Sequence, residues 1–136
     1  MNKELVGIEK ELMEYYHKNQ LNELNLYLYG MVLKERNNQE DAKNVFIECL
    51  NKYPLFWSVW LELSSLLTRD DILLFQKIRN HWMKNFFLAS FYLEIHQESD
   101  SINLSTNLLK YFNTSFHLYN QIAHASYTSQ GQYYYY

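Results

Sequence analysis

Residues 27–54 read "YLYGMVLKERNNQEDAKNVFIECLNKYP", two stretches of helical periodicity separated by a short polar turn. One pattern runs from about Leu21 to Glu35 and the next from about Gln39 to Lys52. Between them "RNNQED" offers Asn38 as an N-cap with Asp41 three residues on, and Lys34 and Arg36 stand where a helix C-terminus favours cations. So short a connection makes the two helices antiparallel. Gly30 lies in mid-face of the first, where glycine costs roughly 1 kcal/mol relative to alanine. A close contact has to offset that cost.

Outward from this hairpin the same period continues. Leu5, Ile8, Leu12 and Tyr15 fall on one side of a helix over Lys3–His17 whose back carries Lys3, Glu4, Lys10, Glu11 and Glu14. Pro54 ends the helix before it at or ahead of Tyr53, because a residue preceding proline is pushed away from α geometry. A helix over about Leu55–Leu67 follows, and Thr68 with Asp71 opens a shorter one over roughly Arg69–Lys77. "HWMKNFFLASFYLEIH" reads as a long helix, apolar around most of its girth and therefore mostly buried. Ser99 is the expected cap of a helix over about Asp100–Tyr111, and Thr114 or Ser115 of one ending near Ser129. After "SQG" a further helix is expected to start with Gln132 and the terminal tyrosines.

Helices joined by very short turns call for a repeat search. The tetratricopeptide repeat is a helical hairpin of about 34 residues with a Leu-Gly, Ala, Phe, Pro pattern. With Gly30 on the glycine position the frame is 23–56, and Leu26, Tyr29, Gly30, Leu33, Ala42, Phe46, Cys49 and Pro54 all occupy signature positions without a gap. In this register Gly30 is expected to face Ala42 across the hairpin, with Phe46 filling the space toward the next repeat. The frame continues as a degenerate repeat over 57–81, a third over 82–115 and a truncated one over 117–136, after a leading helix at 3–18. The expected fold is all-α, a tetratricopeptide-repeat α-solenoid of antiparallel helix hairpins forming a right-handed superhelix segment. A repeat cut inside its second helix strands an apolar face. Residues 1–136 are therefore expected to be part of a longer solenoid, with "YYYY" the start of a missing helix.

Composition agrees with helices. Three glycines and one proline are too few for a sandwich or barrel, and 48% hydrophobic residues suffice for a core. A net charge of −3 with dispersed cations provides no stripe for phosphates, so nucleic acid is excluded as a partner. No apolar run approaches membrane-spanning length and the N-terminus lacks a signal-peptide core, which excludes a membrane role. One cysteine fits a reducing, intracellular compartment. The sequons at Asn103 and Asn113 are read as accidental.

"LYLYGMVLKE", "PLFWSVWLELSSLL" and "WMKNFFLASFYLE" together resemble the tetratricopeptide scaffold subunit family of the anaphase-promoting complex known as subunit eight, or cell division cycle protein twenty-three. Pro54, Leu55, Trp57, Trp60, Leu61, Glu62 and Leu63 carry the most specific part, and the similarity runs from the first helix through "NQIAHASY". The resemblance implies a non-catalytic scaffold in a nuclear and cytoplasmic ubiquitin ligase that controls mitosis. Implied partners are other subunits of that complex and a co-activator. It also implies dimerisation through a more N-terminal region that this segment lacks, so self-association of the segment stays open.

The residues offer no catalytic constellation. His17, His81, His96, His117 and His124 show no metal-binding spacing, Cys49 sits on a core position without electropositive neighbours, and no glycine-rich phosphate loop occurs. No cofactor and no metal are expected. A protein-binding groove is the remaining functional candidate, lined by Tyr27, Met31, Lys34, Leu61, Ser65, Phe86 and Ser90 on the first helices of successive hairpins. Simple packing within the superhelix explains the same residues equally well. The alternative function is a generic adaptor or co-chaperone that clamps a peptide carboxylate, which needs Lys, Asn and Arg at positions held here mostly by apolar residues and serines.

Overall fold

In the computed structural model, which describes residues 2–133 with side chains through residue 130, every regular element among the described residues is helical. The chain forms two compact units, Met1–Arg79 and Asn80–Tyr136.

The first unit holds α1 (Lys3–His17), α2 (Glu23–Glu35), α3 (Gln39–Lys52), α4 (Trp57–Leu66) and a 3-10 helix over Arg69–Lys77. Asparagines open three of them. The side chains of Asn2, Asn22 and Asn38 accept from the N–H groups of Glu4, Asn25 and Asp41, satisfying donors that a helix start leaves unpaired. The hairpin turns share one device. Asn19 and Asn37 take left-handed φ of 54° and 59°. At each, the next two N–H groups fold back, Asn37 to Lys34 O (3.0 Å) and Asn38 to Leu33 O (2.9 Å), which is the Schellman arrangement that asparagine tolerates better than most residues. Pro54 acts as expected: α3 stops at Lys52 and Tyr53 is extended at φ −139°. α4 starts at Trp57, two residues later than the periodicity suggests, with Phe56 at its cap.

α1 packs on α2, α2 on α3 and α3 on α4. The core of this unit is built from Leu26, Leu33, Val45, Phe46, Leu50, Val59, Trp60 and Leu63, each at most 2% exposed. Gly30 belongs to it. The space where its side chain would stand is filled by the Phe46 ring, whose Cδ1 and Cζ lie 2.6 and 2.8 Å from an ideal Cβ. The nearest neighbour of the glycine is therefore the Phe46 ring of the same hairpin, the ring expected to fill space toward the next repeat.

The second unit holds α5 (Trp82–Glu94), α6 (Glu98–Leu109) and α7 (Phe116–Tyr133), with α6 packed on both others. Three sequence expectations change here. α5 is half-buried rather than mostly buried, with Lys84, Ala89 and Phe91 its only buried residues, because α6 covers only one of its faces. α6 begins at Glu98 behind Gln97, not behind Ser99. His96 at φ 60° closes α5 with the same Schellman bonds (Gln97 N–H to Tyr92 O, 2.8 Å) and the next helix follows at once. α7 runs unbroken past Ser129 through Gly131 to Tyr133. The turn expected at "SQG" needs a left-handed glycine, and no described glycine has positive φ. The expected new helix at Gln132 is thus the end of α7; Tyr134–Tyr136 lie outside the described residues.

At the registers of Gly30, Ala42 and Phe46 the second unit carries Ala89, Ser101 and Ser105, all fully buried. Where the glycine has become alanine, the ring has become a serine. Ser101 Oγ donates to Ala89 O at 2.8 Å across the α5–α6 hairpin, and Ser105 Oγ donates to Gln121 Oε1 at 3.3 Å. Polar atoms take over the space that Phe46 fills with carbon.

Candidate protein-binding face

The signature residues of 23–56 form the floor. Leu26, Tyr29, Gly30 and Leu33 on α2 and Ala42, Phe46 and Cys49 on α3 are buried, and Pro54 is half-buried with its carbonyl accepting from the Trp60 indole at 2.7 Å. Cys49 donates its thiol to Glu23 O at 3.1 Å. Burial, then the Glu23 carboxylate, pushes that thiol up to about 11, which keeps it protonated and unreactive at neutral pH. Tyr29 stacks near Tyr16 at 5.3 Å. Burial, with Asp41 and Glu9 nearby, raises its hydroxyl above the ordinary range.

On this floor Tyr27, Met31 and Lys34 line one side of α2, all half-buried. The Tyr27 ring leans on Phe56 (5.1 Å) and Phe46 (6.5 Å). Leu61 and Ser65 follow Trp57 at one and two turns of α4 in one exposed stripe, Trp57 at 54% and Leu61 at 51%. Lys34 joins the two helices. Its Nζ donates to Glu62 Oε2 at 2.6 Å and to Ser65 Oγ at 3.0 Å, and the serine hydroxyl in turn donates to the Glu62 backbone O at 2.7 Å. The structure thus brings Lys34 and Ser65 together and adds Glu62, which the repeat pattern did not single out. Its signal was available: Glu62 is the only charged residue of α4. Paired this way, Lys34 is a neutralised strut between helices and not a free cation for a peptide carboxylate.

Phe86 and Ser90 belong to the second unit. The Phe86 ring sits among Trp82 (5.9 Å), Phe112 (5.4 Å) and His117 (6.2 Å). Ser90 Oγ donates to Phe86 O at 3.3 Å and accepts from Gln121 Nε2 at 2.7 Å, so it is the end of a chain running through Gln121 to Ser105.

Among the described residues no cluster of His, Cys, Asp and Glu could hold a metal ion, and no described helix is long and apolar enough to cross a membrane. What the first unit presents is an apolar stripe (Trp57, Leu61) beside an internally balanced ion pair.

The family model for anaphase promoting complex subunit 8 / Cdc23 matches residues 1–123. The anaphase-promoting complex subunit 8 of Arabidopsis thaliana is 38% identical over 128 residues, 94% of this chain and 22% of that protein. The cell division cycle protein 23 homolog of Homo sapiens is 35% identical over 123 residues, 90% of this chain and 21% of that protein. The Saccharomyces cerevisiae subunit CDC23 is 39% identical over 61 residues, 44% of this chain and 9% of that protein. The chain spans about a fifth of the length of the first two relatives. With its helical hairpins in place and the family model matched across almost all of them, this chain belongs to the anaphase-promoting complex subunit 8 / Cdc23 family.

Proposed function

We propose that this chain is a non-catalytic protein-interaction segment of the anaphase-promoting complex scaffold, acting in the ubiquitin ligase that controls mitotic progression. Its partners are neighbouring subunits of the complex and a co-activator, and it works in the nucleus and cytoplasm. The observation that carries this reading is the family match over residues 1–123. Supporting it are a thiol held protonated by burial and an exposed Trp57–Leu61 stripe of the kind that anchors protein contacts. The groove residues Tyr27, Met31, Lys34, Leu61 and Ser65 form one contact surface, and Phe86 with Ser90 another. The Lys34–Glu62 pair counts against the carboxylate-clamp adaptor.

The test is affinity purification of the tagged full-length protein, with mass spectrometry of what accompanies it. The other subunits of the ligase are expected in the eluate. Trp57→Ala with Leu61→Ala is expected to reduce them while leaving the helical signal intact. A full-length protein that never associates with those subunits removes the proposal.

A further inference from the structure

The second hairpin of the first unit lacks a second α-helix. In its place runs the 3-10 helix Arg69–Lys77, nine residues long, where such runs seldom exceed three or four because their hydrogen-bond geometry is poor. It is strapped to a separate face of α3. Ala42, Phe46 and Cys49 point one way, while Lys43, Ile47, Leu50 and Asn51 form a stripe about a third of a turn round the helix. Lys43, Ile47 and Leu50 on that stripe are buried.

The strap is fastened at both ends. At the first, Asp71 Oδ2 accepts from Lys43 Nζ (3.0 Å), the Thr68 N–H (2.7 Å) and the Thr68 hydroxyl (2.9 Å). At the second, Asn51 uses its whole amide, Nδ2 donating to Lys77 O (2.9 Å) and Oδ1 accepting from the Arg79 N–H (2.7 Å). Both contacts advance together along the chain, so the strap lies parallel to α3. The lengths agree: Lys43 to Asn51 rises about 12 Å at α-helical pitch, and Asp71 to Lys77 about 12 Å at 3-10 pitch. Between the pins its buried apolar residue is Phe75, with Ile78 just beyond, and Leu73 is 66% exposed.

An element with weak internal bonds, pinned to α3 at its two ends, belongs to the low-stability end of a fold. Three turns of 3-10 helix do not persist alone, so loss of either pin undoes both. We propose that the strap is a conformational device that lifts from α3 as a single unit while α3 and α4 stay folded. Lifting lengthens the connection between the two compact units from residues 80–81 to residues 67–81. It also returns the Lys43 charge and the Asn51 amide to water. This inference rests on the geometry of the first unit and stands apart from the proposed partners.

Hydrogen exchange of the whole chain, read by mass spectrometry, tests it. Amides of residues 70–79 are expected to exchange as a group and faster than those of α3 and α4. Asp71→Asn and Asn51→Ala sit at opposite ends, and each is expected to accelerate the entire group about tenfold, the equivalent of one lost hydrogen-bonded pin, with α2 unchanged. If Asp71→Asn perturbs folding, Asn51→Ala carries the test alone by its effect on the far end of the strap. Acceleration confined to the amides beside each substitution overturns the proposal, as does strap exchange as slow as that of α3 in every variant.

Discussion

Replacing Gly30 by alanine places a methyl group where the Phe46 ring already lies. Its Cβ falls 2.6 Å from Cδ1 and 2.8 Å from Cζ, whereas carbons in contact settle about 3.5–4.0 Å apart. The ring has to retreat by roughly 1 Å, yet Phe46 is fully buried and has no open side to move into. Overpacking of this kind costs about 1–3 kcal/mol, and alanine in place of glycine inside a helix offsets about 1 kcal/mol of it. Gly30→Ala is therefore expected to destabilise the protein by up to about 2 kcal/mol. Phe46→Ala alone is expected to lose about 3–5 kcal/mol through its cavity. With the ring gone the methyl's nearest clashes are removed and the helix preference survives, so adding Gly30→Ala to Phe46→Ala should stabilise by about 1 kcal/mol. The effect of the same substitution depends on its background, a coupling of about 1–3 kcal/mol, the overpacking term itself, that a double-mutant cycle detects. The assay is urea denaturation of the four chains followed by far-ultraviolet circular dichroism. If Gly30→Ala alone raises the midpoint, or if the two effects simply add, the ring does not occupy the glycine's space and the reasoning fails. The second unit already shows the compensated pair, Ala89 with Ser105 at the same spacing.

Burial disfavours the Asp71 charge, but the Thr68 N–H, the Lys43 ammonium and the Thr68 hydroxyl outweigh it and hold the carboxyl below its ordinary value of 3.8. With a lowered folded value, its contribution is complete above that ordinary value and is lost as pH falls through the lower one. Asp71→Asn should thus cost about 1–2 kcal/mol at neutral pH and flatten this part of the acid dependence, read from urea midpoints across the acid range. Cys49, pushed up to about 11 by burial, is expected to resist alkylation in the native protein at mildly alkaline pH and to react fully in denaturant. Native labelling at the rate of a free thiol would contradict its placement. Gln121→Ala removes the partner of the fully buried Ser105 hydroxyl and should cost about 1–3 kcal/mol. Adding Ser105→Ala should recover most of that loss in the same denaturation assay.

The sequence by itself determined what is local. The apolar period, the Asn38 cap and the stop at Pro54 are decided within one helical turn, where side chain and backbone lie close in the chain, and these coincide with the coordinates. The left-handed turns were half legible: asparagine at 19 and 37 favours that conformation, while histidine at 96 gives little hint. The family was legible as well, since Pro54, Trp57, Trp60 and Leu63 stand at fixed short spacings. Only the tertiary structure decided the rest. The space beside the glycine proved to be filled by the Phe46 ring of its own hairpin. Lys34 found Glu62 on another helix, and residues 69–77 became a 3-10 strap because Lys43 and Asn51 of α3 hold its ends. "SQG" stayed helical because a glycine permits a turn without imposing one. In each case the deciding atoms come from segments far apart in the chain, and their energies exist only once packing has brought them within reach.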